Sequence, residues 1–189
     1  MSEVDGKLTY GNVDVGYTFY LPALQFGGFI GYHYWAEKVN ARGCIQLATN
    51  PFICQAGAIP AGVLGITEDD KWNSLRIGLA GAWTPTKDWK VSAEIAYLRT
   101  SQRTLDIHYF TFGPDPASAR GDGFQAEALL SYQLTKAFSI GAGARWWQLR
   151  TEGVDAFDQL LKYETSRYGA FLQGSVKFGA SEYWVARAN

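Results

Sequence analysis

Asp106 and His108 stand one residue apart at the end of the stretch WKVSAEIAYLRTSQRTLDIHY (89–109), in which apolar and polar side chains alternate. A period of two is the mark of a strand, whose successive side chains point to opposite faces. Asp106 and His108 therefore share a face with Lys90, Ser92 and Glu94, opposite Trp89, Val91, Ala93, Ile95 and Tyr97. On a strand, an i, i+2 pair has Cα atoms roughly 6.5 to 7 Å apart, close enough for a carboxylate to orient an imidazole or share a water with it. That chemistry is a general base. The same spacing also describes two polar residues that merely decorate a strand end, and spacing alone favours that plainer reading.

The remaining chemistry-bearing residues are sparse. His33, the only other histidine, has no H-x-x-x-H pair and no neighbouring cysteine, so it reads as a hydrogen-bonding residue and no metal site is assigned. Glu68, Asp69 and Asp70 form an acidic cluster without the ligand spacing of a calcium loop. Asp69 and Asp70 are adjacent and would point to opposite faces of an extended chain, and the cluster reads as a solvated loop leading into a strand. Arg120-Gly121-Asp122 is explained by turn chemistry around its glycine. Gly141-Ala142-Gly143 begins a phosphate-loop look-alike whose third glycine position is Trp146, so no cofactor site is assigned.

What must position Asp106 and His108 is a β framework. The chain has 189 residues, enough for one domain, with 15% aromatic residues and 21 glycines. Seventeen basic and 18 acidic residues leave a net charge of −1, and without a basic run nucleic acid is excluded as a partner. No apolar window is long enough for a transmembrane helix. The acidic start, Met1-Ser2-Glu3-Val4-Asp5-Gly6, lacks the apolar core of a signal peptide, so none is expected in this chain. Cys44 and Cys54 fall in one irregular stretch and suit a loop disulfide formed in an oxidising compartment, worth roughly 2 to 3 kcal/mol.

Seven alternating runs are legible, at about 8–20, 26–42, 72–84, 89–109, 123–135, 139–152 and 161–178, followed by a tail, 179–189, whose residues from Ser181 on could add an eighth. The segments between them alternate in length: short at 21–25, long at 43–70, short at 85–88, long at 111–122, short at 135–138 and long at 153–159. In an antiparallel meander this puts every tight turn at one end and every long loop at the other, the pattern of an outer-membrane barrel. One face of the runs is Val, Ile, Leu, Ala and Gly with aromatics toward the ends. The other holds Asp14, Glu37, Glu94 and Glu127 against Arg76, Lys90, Arg145, Arg167 and Lys177. A soluble barrel would invert these faces. Strands longer than the ~10 residues that cross a bilayer favour the membrane reading.

The run WTPTKDWKVSAEIAYLRTSQRTLDIHY resembles the omptins, outer-membrane aspartyl proteases in which a strand rises out of the membrane and ends in Asp-x-His. GGFIGYHYWAEKVNARG (27–43) is similar to an earlier strand of that family, and Tyr168 to Phe178 to its closing strand. The stretches ARGC, NPFIC and VLGITEDDKWNSLRIG also resemble omptin-like outer-membrane proteins of alphaproteobacterial type with no assigned activity. The resemblance implies that Asp106 orients His108 and that His108 activates the attacking water. It also implies a second acidic pair on another strand, and no such pair is assigned; Asp69 and Asp70, pointing to opposite faces of an extended chain, fit that role poorly. By the same resemblance the barrel is ten-stranded, so that this chain is incomplete at its N-terminal side, and lipopolysaccharide is a ligand.

The expected protein is an all-β, antiparallel transmembrane meander in the outer membrane of a Gram-negative bacterium. Its partner is membrane lipid, and its open strand edges invite self-association. The leading function is a structural barrel with a polar lumen and an incomplete active site. An omptin-type endopeptidase acting on a peptide substrate is one alternative, and a small porin or ligand-binding barrel is another.

Overall fold

The computed structural model describes residues 3–44, 59–110, 113–156 and 158–176. They form one seven-stranded antiparallel meander, in the order β1 (Glu3–Tyr20), β2 (Leu24–Cys44), β3 (Ile59–Trp83), β4 (Trp89–His108), β5 (Gly113–Gln133), β6 (Phe138–Val154) and β7 (Leu160–Val176). The sheet curls into a half-barrel. Each strand pairs only with its neighbours in sequence, as tight turns between antiparallel strands dictate.

Several strands run further than the alternation suggests. β3 is 25 residues long and begins at Ile59, so Glu68, Asp69 and Asp70 lie inside a strand and not in a loop. β5 begins at Gly113, which puts Arg120-Gly121-Asp122 in a strand as well. Pairing outweighs the local turn composition. Pro114 and Pro116 oppose Ile107 and Leu105 of β4, whereas β6 joins β5 only from Ser118 onward. The prolines therefore sit where β5 has a single neighbour, the setting in which a residue without an N–H is tolerated. Pro60 likewise falls beside register shifts near Arg42 and Cys44. The longer connection between β2 and β3 contains Cys54, which lies outside the described residues, as do Lys177, Phe178 and the tail.

Curling sorts the two faces. On the convex side Val13, Val15, Tyr17, Ile30, Ile77, Leu79, Ile95 and Leu172 are exposed. The concave side buries polar residues, among them His33, Ser74, Arg76, Thr100, Gln102 and Gln125. Nearest the tight turns, the Arg76 guanidinium reaches Asp14 of β1 and Glu94 of β4, and Arg145 of β6 reaches Glu127 of β5. Gly31 makes room for this network, since a Cβ there would collide with the Asp14 carboxylate. Above the ions lies an apolar layer of Trp35, Trp72, Leu98 and Leu149 with Trp147 against it. Tyr10 of β1 stacks on Trp35 at 5.8 Å and meets Trp147 of β6 at 5.9 Å, so the layer crosses the concavity.

Candidate functional site

Beyond the aromatic layer, at the end away from the tight turns, the inward side chains of β2, β3 and β4 become acidic. The register places Glu37 opposite Asp70, and Glu68 opposite Asp106, while Asp115 of β5 faces Asp106 from the other side. These residues share the concave face because the alternation of β3 runs without a break from Glu68 through Asp70, Trp72 and Ser74 to Arg76. Asp69, one residue out of phase, turns outward and pairs with Lys71 at 3.1 Å.

Asp106 and His108 close the row. The Asp106 Oδ2 lies 3.0 Å from His108 Nε2, and each side chain is about one-third exposed, at 32% and 31%. The other Asp106 oxygen, Oδ1, is buried and has no hydrogen-bond partner among the described residues. A carboxylate thus holds the imidazole from the end of a strand whose backbone is paired on both sides, a geometry suited to orienting a general base.

A hydrogen-bonded floor separates this row from the aromatic layer. Gln102 is fully buried and donates through Nε2 to Asp70 Oδ1 at 3.0 Å and to Thr104 Oγ1 at 2.9 Å. Its carbonyl oxygen accepts from the Thr151 hydroxyl of β6, so one side chain ties three strands together across the interior. The Thr104 hydroxyl also donates to Asp70.

Charge crowding has a chemical consequence. Burial, then the neighbouring Asp70 carboxylate and its hydrogen bond, push the Glu68 carboxyl up from 4.5 to about 7, with Asp106 and Glu37 adding to the effect. Burial also raises Asp70, against the opposing hydrogen bonds from Thr104 and Gln102. Glu37 is engaged by Arg167 of β7. A group that holds a proton to near neutrality beside a carboxylate-oriented imidazole is an arrangement fit for general acid and base work.

The Asp106–His108 pair was visible from spacing. Glu68 and Asp70 were not assigned to it, because the acidic run and the glycines before it look like a loop. Pairing register with β2 and β4, which the sequence does not display, is what places them on the inward face. His33 takes the hydrogen-bonding place expected of it, with Nδ1 at 2.6 Å from Asn12 Oδ1.

No family model matches the sequence, and no curated protein matches it either. Among solved structures, the outer membrane protease OmpT from Escherichia coli matches with a TM-score of 0.66 at 16% identity. The match covers 90% of this chain and 64% of that one, so the chain spans just under two thirds of the protein it resembles. At that identity the likeness shows the fold, an omptin-like outer-membrane β-barrel, and the fold alone.

Proposed function

Taking the omptin-like fold as premise, we propose that this chain is an integral outer-membrane barrel protein of a Gram-negative bacterium, with a polar but closed interior. One observation carries the reading: exposed Val15, Ile77 and Leu79 cover the convex face while Arg76, 1% exposed, is buried inside, where it pairs with Asp14 and Glu94. A protein in water gains by the opposite arrangement; one surrounded by lipid needs this one. The strands, up to 25 residues long, exceed the ~9–11 needed to cross a bilayer, so the acidic row stands outside the membrane. A Cys44–Cys54 disulfide would lie at that same outer end. The outer edges of β1 and β7 have no strand partner among the described residues and favour self-association or cover by further strands.

The test is to fold the chain in detergent and in lipid vesicles. We expect heat-modifiable migration and protection of the strands from protease. A monomer that stays dissolved without detergent overturns the assignment. The Trp35–Trp147 layer argues against the porin alternative, and planar bilayers containing the protein should be silent. Stepwise conductance would restore the porin.

A second reading rests on the 3.0 Å contact between Asp106 and His108. In it, His108 takes a proton from water as the water attacks a peptide carbonyl, Asp106 holds the ring and stabilises the imidazolium, and that proton passes to the departing amine as the C–N bond breaks. The open acidic row would attract a basic peptide, and lipopolysaccharide would support the site. In lipopolysaccharide-containing detergent, Asp106→Ala and His108→Ala should each lower cleavage of a basic peptide by about 10²- to 10⁴-fold with folding intact. No cleavage by the unmutated protein removes this reading and leaves the barrel assignment standing.

A further inference from the structure

His108 has unlike neighbours on its two flanks. The register sets Ile66 of β3 directly opposite it and Gly113 of β5 on its other side. Directly opposed residues of paired strands hold their Cβ atoms about 4.5 to 5.5 Å apart, so the Ile66 side chain stands beside the imidazole. On the β5 flank a Cβ at Gly113 would meet no atom within 4 Å, and the φ of 78° there favours glycine. One flank is an apolar wall and the other is open.

The wall continues past the end of β4. The Tyr109 N–H donates to the Gly65 carbonyl at 3.1 Å, which holds the chain that follows His108 against β3. Ile66, Tyr109 and Phe110 are 39%, 50% and 58% exposed. They stand past the acidic row, at the end that reaches beyond the proposed membrane into water, where clustered exposed apolar side chains mark a binding surface. The charge beside them narrows what binds. Glu68 lies two residues from Ile66 on the same face of β3, and residues so spaced on a strand are roughly 6.5 to 7 Å apart. Alternate side chains of an extended peptide have the same spacing.

We propose that Ile66, with Tyr109 and Phe110, forms an apolar subsite beside His108, and that the site takes an extended peptide carrying a basic residue two positions from a bulky apolar one. The basic residue lies on the acidic row, the apolar one lies on Ile66, and the backbone between them comes beside the imidazole. The open flank at Gly113 leaves room for the peptide to enter. This specificity rests on the hydrolytic reading of Asp106 and His108, yet the binding it describes is measurable without cleavage.

The experiment uses the full chain folded in lipopolysaccharide-containing detergent and two labelled peptides, one with leucine two positions from its single arginine and one with serine in the leucine's place. Cleavage by the parent is compared as kcat/KM, and binding is compared by anisotropy with His108→Ala, which lacks the base. The leucine peptide should be favoured about tenfold in both, as burying one apolar side chain against a half-exposed wall implies. Ile66→Ser and Phe110→Ser should each shrink that ratio to about threefold or less, and Ile66→Val should keep most of it. In cleavage the change should fall on KM with kcat held, the mark of lost binding. Binding with the preference but without cleavage by the parent removes the hydrolytic reading and keeps the subsite. Cleavage with equal kcat/KM for the two peptides overturns the subsite and keeps the hydrolytic reading. Equal binding, no binding of either peptide, or folded serine variants that keep the tenfold ratio overturn the subsite as well. The wall is then covered by lipid or by a second copy of the chain, which the mass of the detergent particle tells apart.

Discussion

The two ends of the concave face are built on opposite electrostatic plans. Near the tight turns every acid has its arginine: Asp14 and Glu94 share Arg76, and Glu127 has Arg145. At the far end Glu37, Glu68, Asp70, Asp106 and Asp115 outnumber the Arg167 and His108 that pair with Glu37 and Asp106 among the described residues. The balanced end lies where the proposed membrane surrounds the barrel and an unpaired charge would be costly. The acidic end lies where water can reach it, and there the surplus is relieved by holding a proton on Glu68. Balanced charge gives closure and rigidity; surplus charge gives a group that titrates near neutrality. Between the two ends, the Trp35 layer and Gln102 keep them apart.

The largest effect should come from breaking the balanced end. Arg76→Ala removes a fully buried guanidinium and leaves the partly exposed Asp14 and Glu94 without their cation, which should cost about 3 kcal/mol, the low end for a buried charge network because solvent reaches both carboxylates. Urea unfolding of the micelle-bound protein should show that loss. Arg150→Ala, which breaks an exposed pair with Glu164, should cost under about 1 kcal/mol. If the two variants are equally stable, the balanced end is not a buried network and the contrast fails.

An intermediate effect should come from the floor. Gln102→Ala removes the donor to Asp70 and the acceptor for Thr151 at a fully buried position, which should cost about 1 to 3 kcal/mol. It should also lower the melting temperature more than Gln148→Ala, whose amide bonds Glu164 on the exposed face. Equal losses would mean that the floor does not tie β3, β4 and β6 together.

How much of this could be seen in the sequence follows from the same contrast. The strand faces of the balanced end were legible, because Val13, Val15 and Ile77 against Asp14 and Arg76 alternate without interruption. Asp106 and His108 were placed on the inward face by the same rule. The acidic row was hidden: a strand continuing above the proposed membrane into water needs no apolar face, so Glu68, Asp69, Asp70 and Lys71 show no alternation of polar and apolar and look like a loop. Pro114, Pro116 and the glycines of β5 disguised that strand in the same way.

The smallest effect is the most diagnostic of the acidic end. The folded chain keeps a proton on Glu68 to about 7, where an unfolded one releases it near 4.5. Between those values the native state binds the extra proton, so stability from this group is fully present below about 4.5, falls as pH rises through 7, and is level above it. Glu68 is only partly buried, and solvent screening should hold the change to about 1 kcal/mol or less. Glu68→Gln keeps the shape and cannot ionise, so it should flatten the slope and leave the variant more stable than the parent at pH 8. A shallower slope of the same sign should survive from Asp70, whose carboxyl is raised by the same burial. If instead the parent gains stability from pH 5 to 7, the Glu68 carboxyl is charged throughout, and the acidic end has a cation that balances it as Arg76 balances the other.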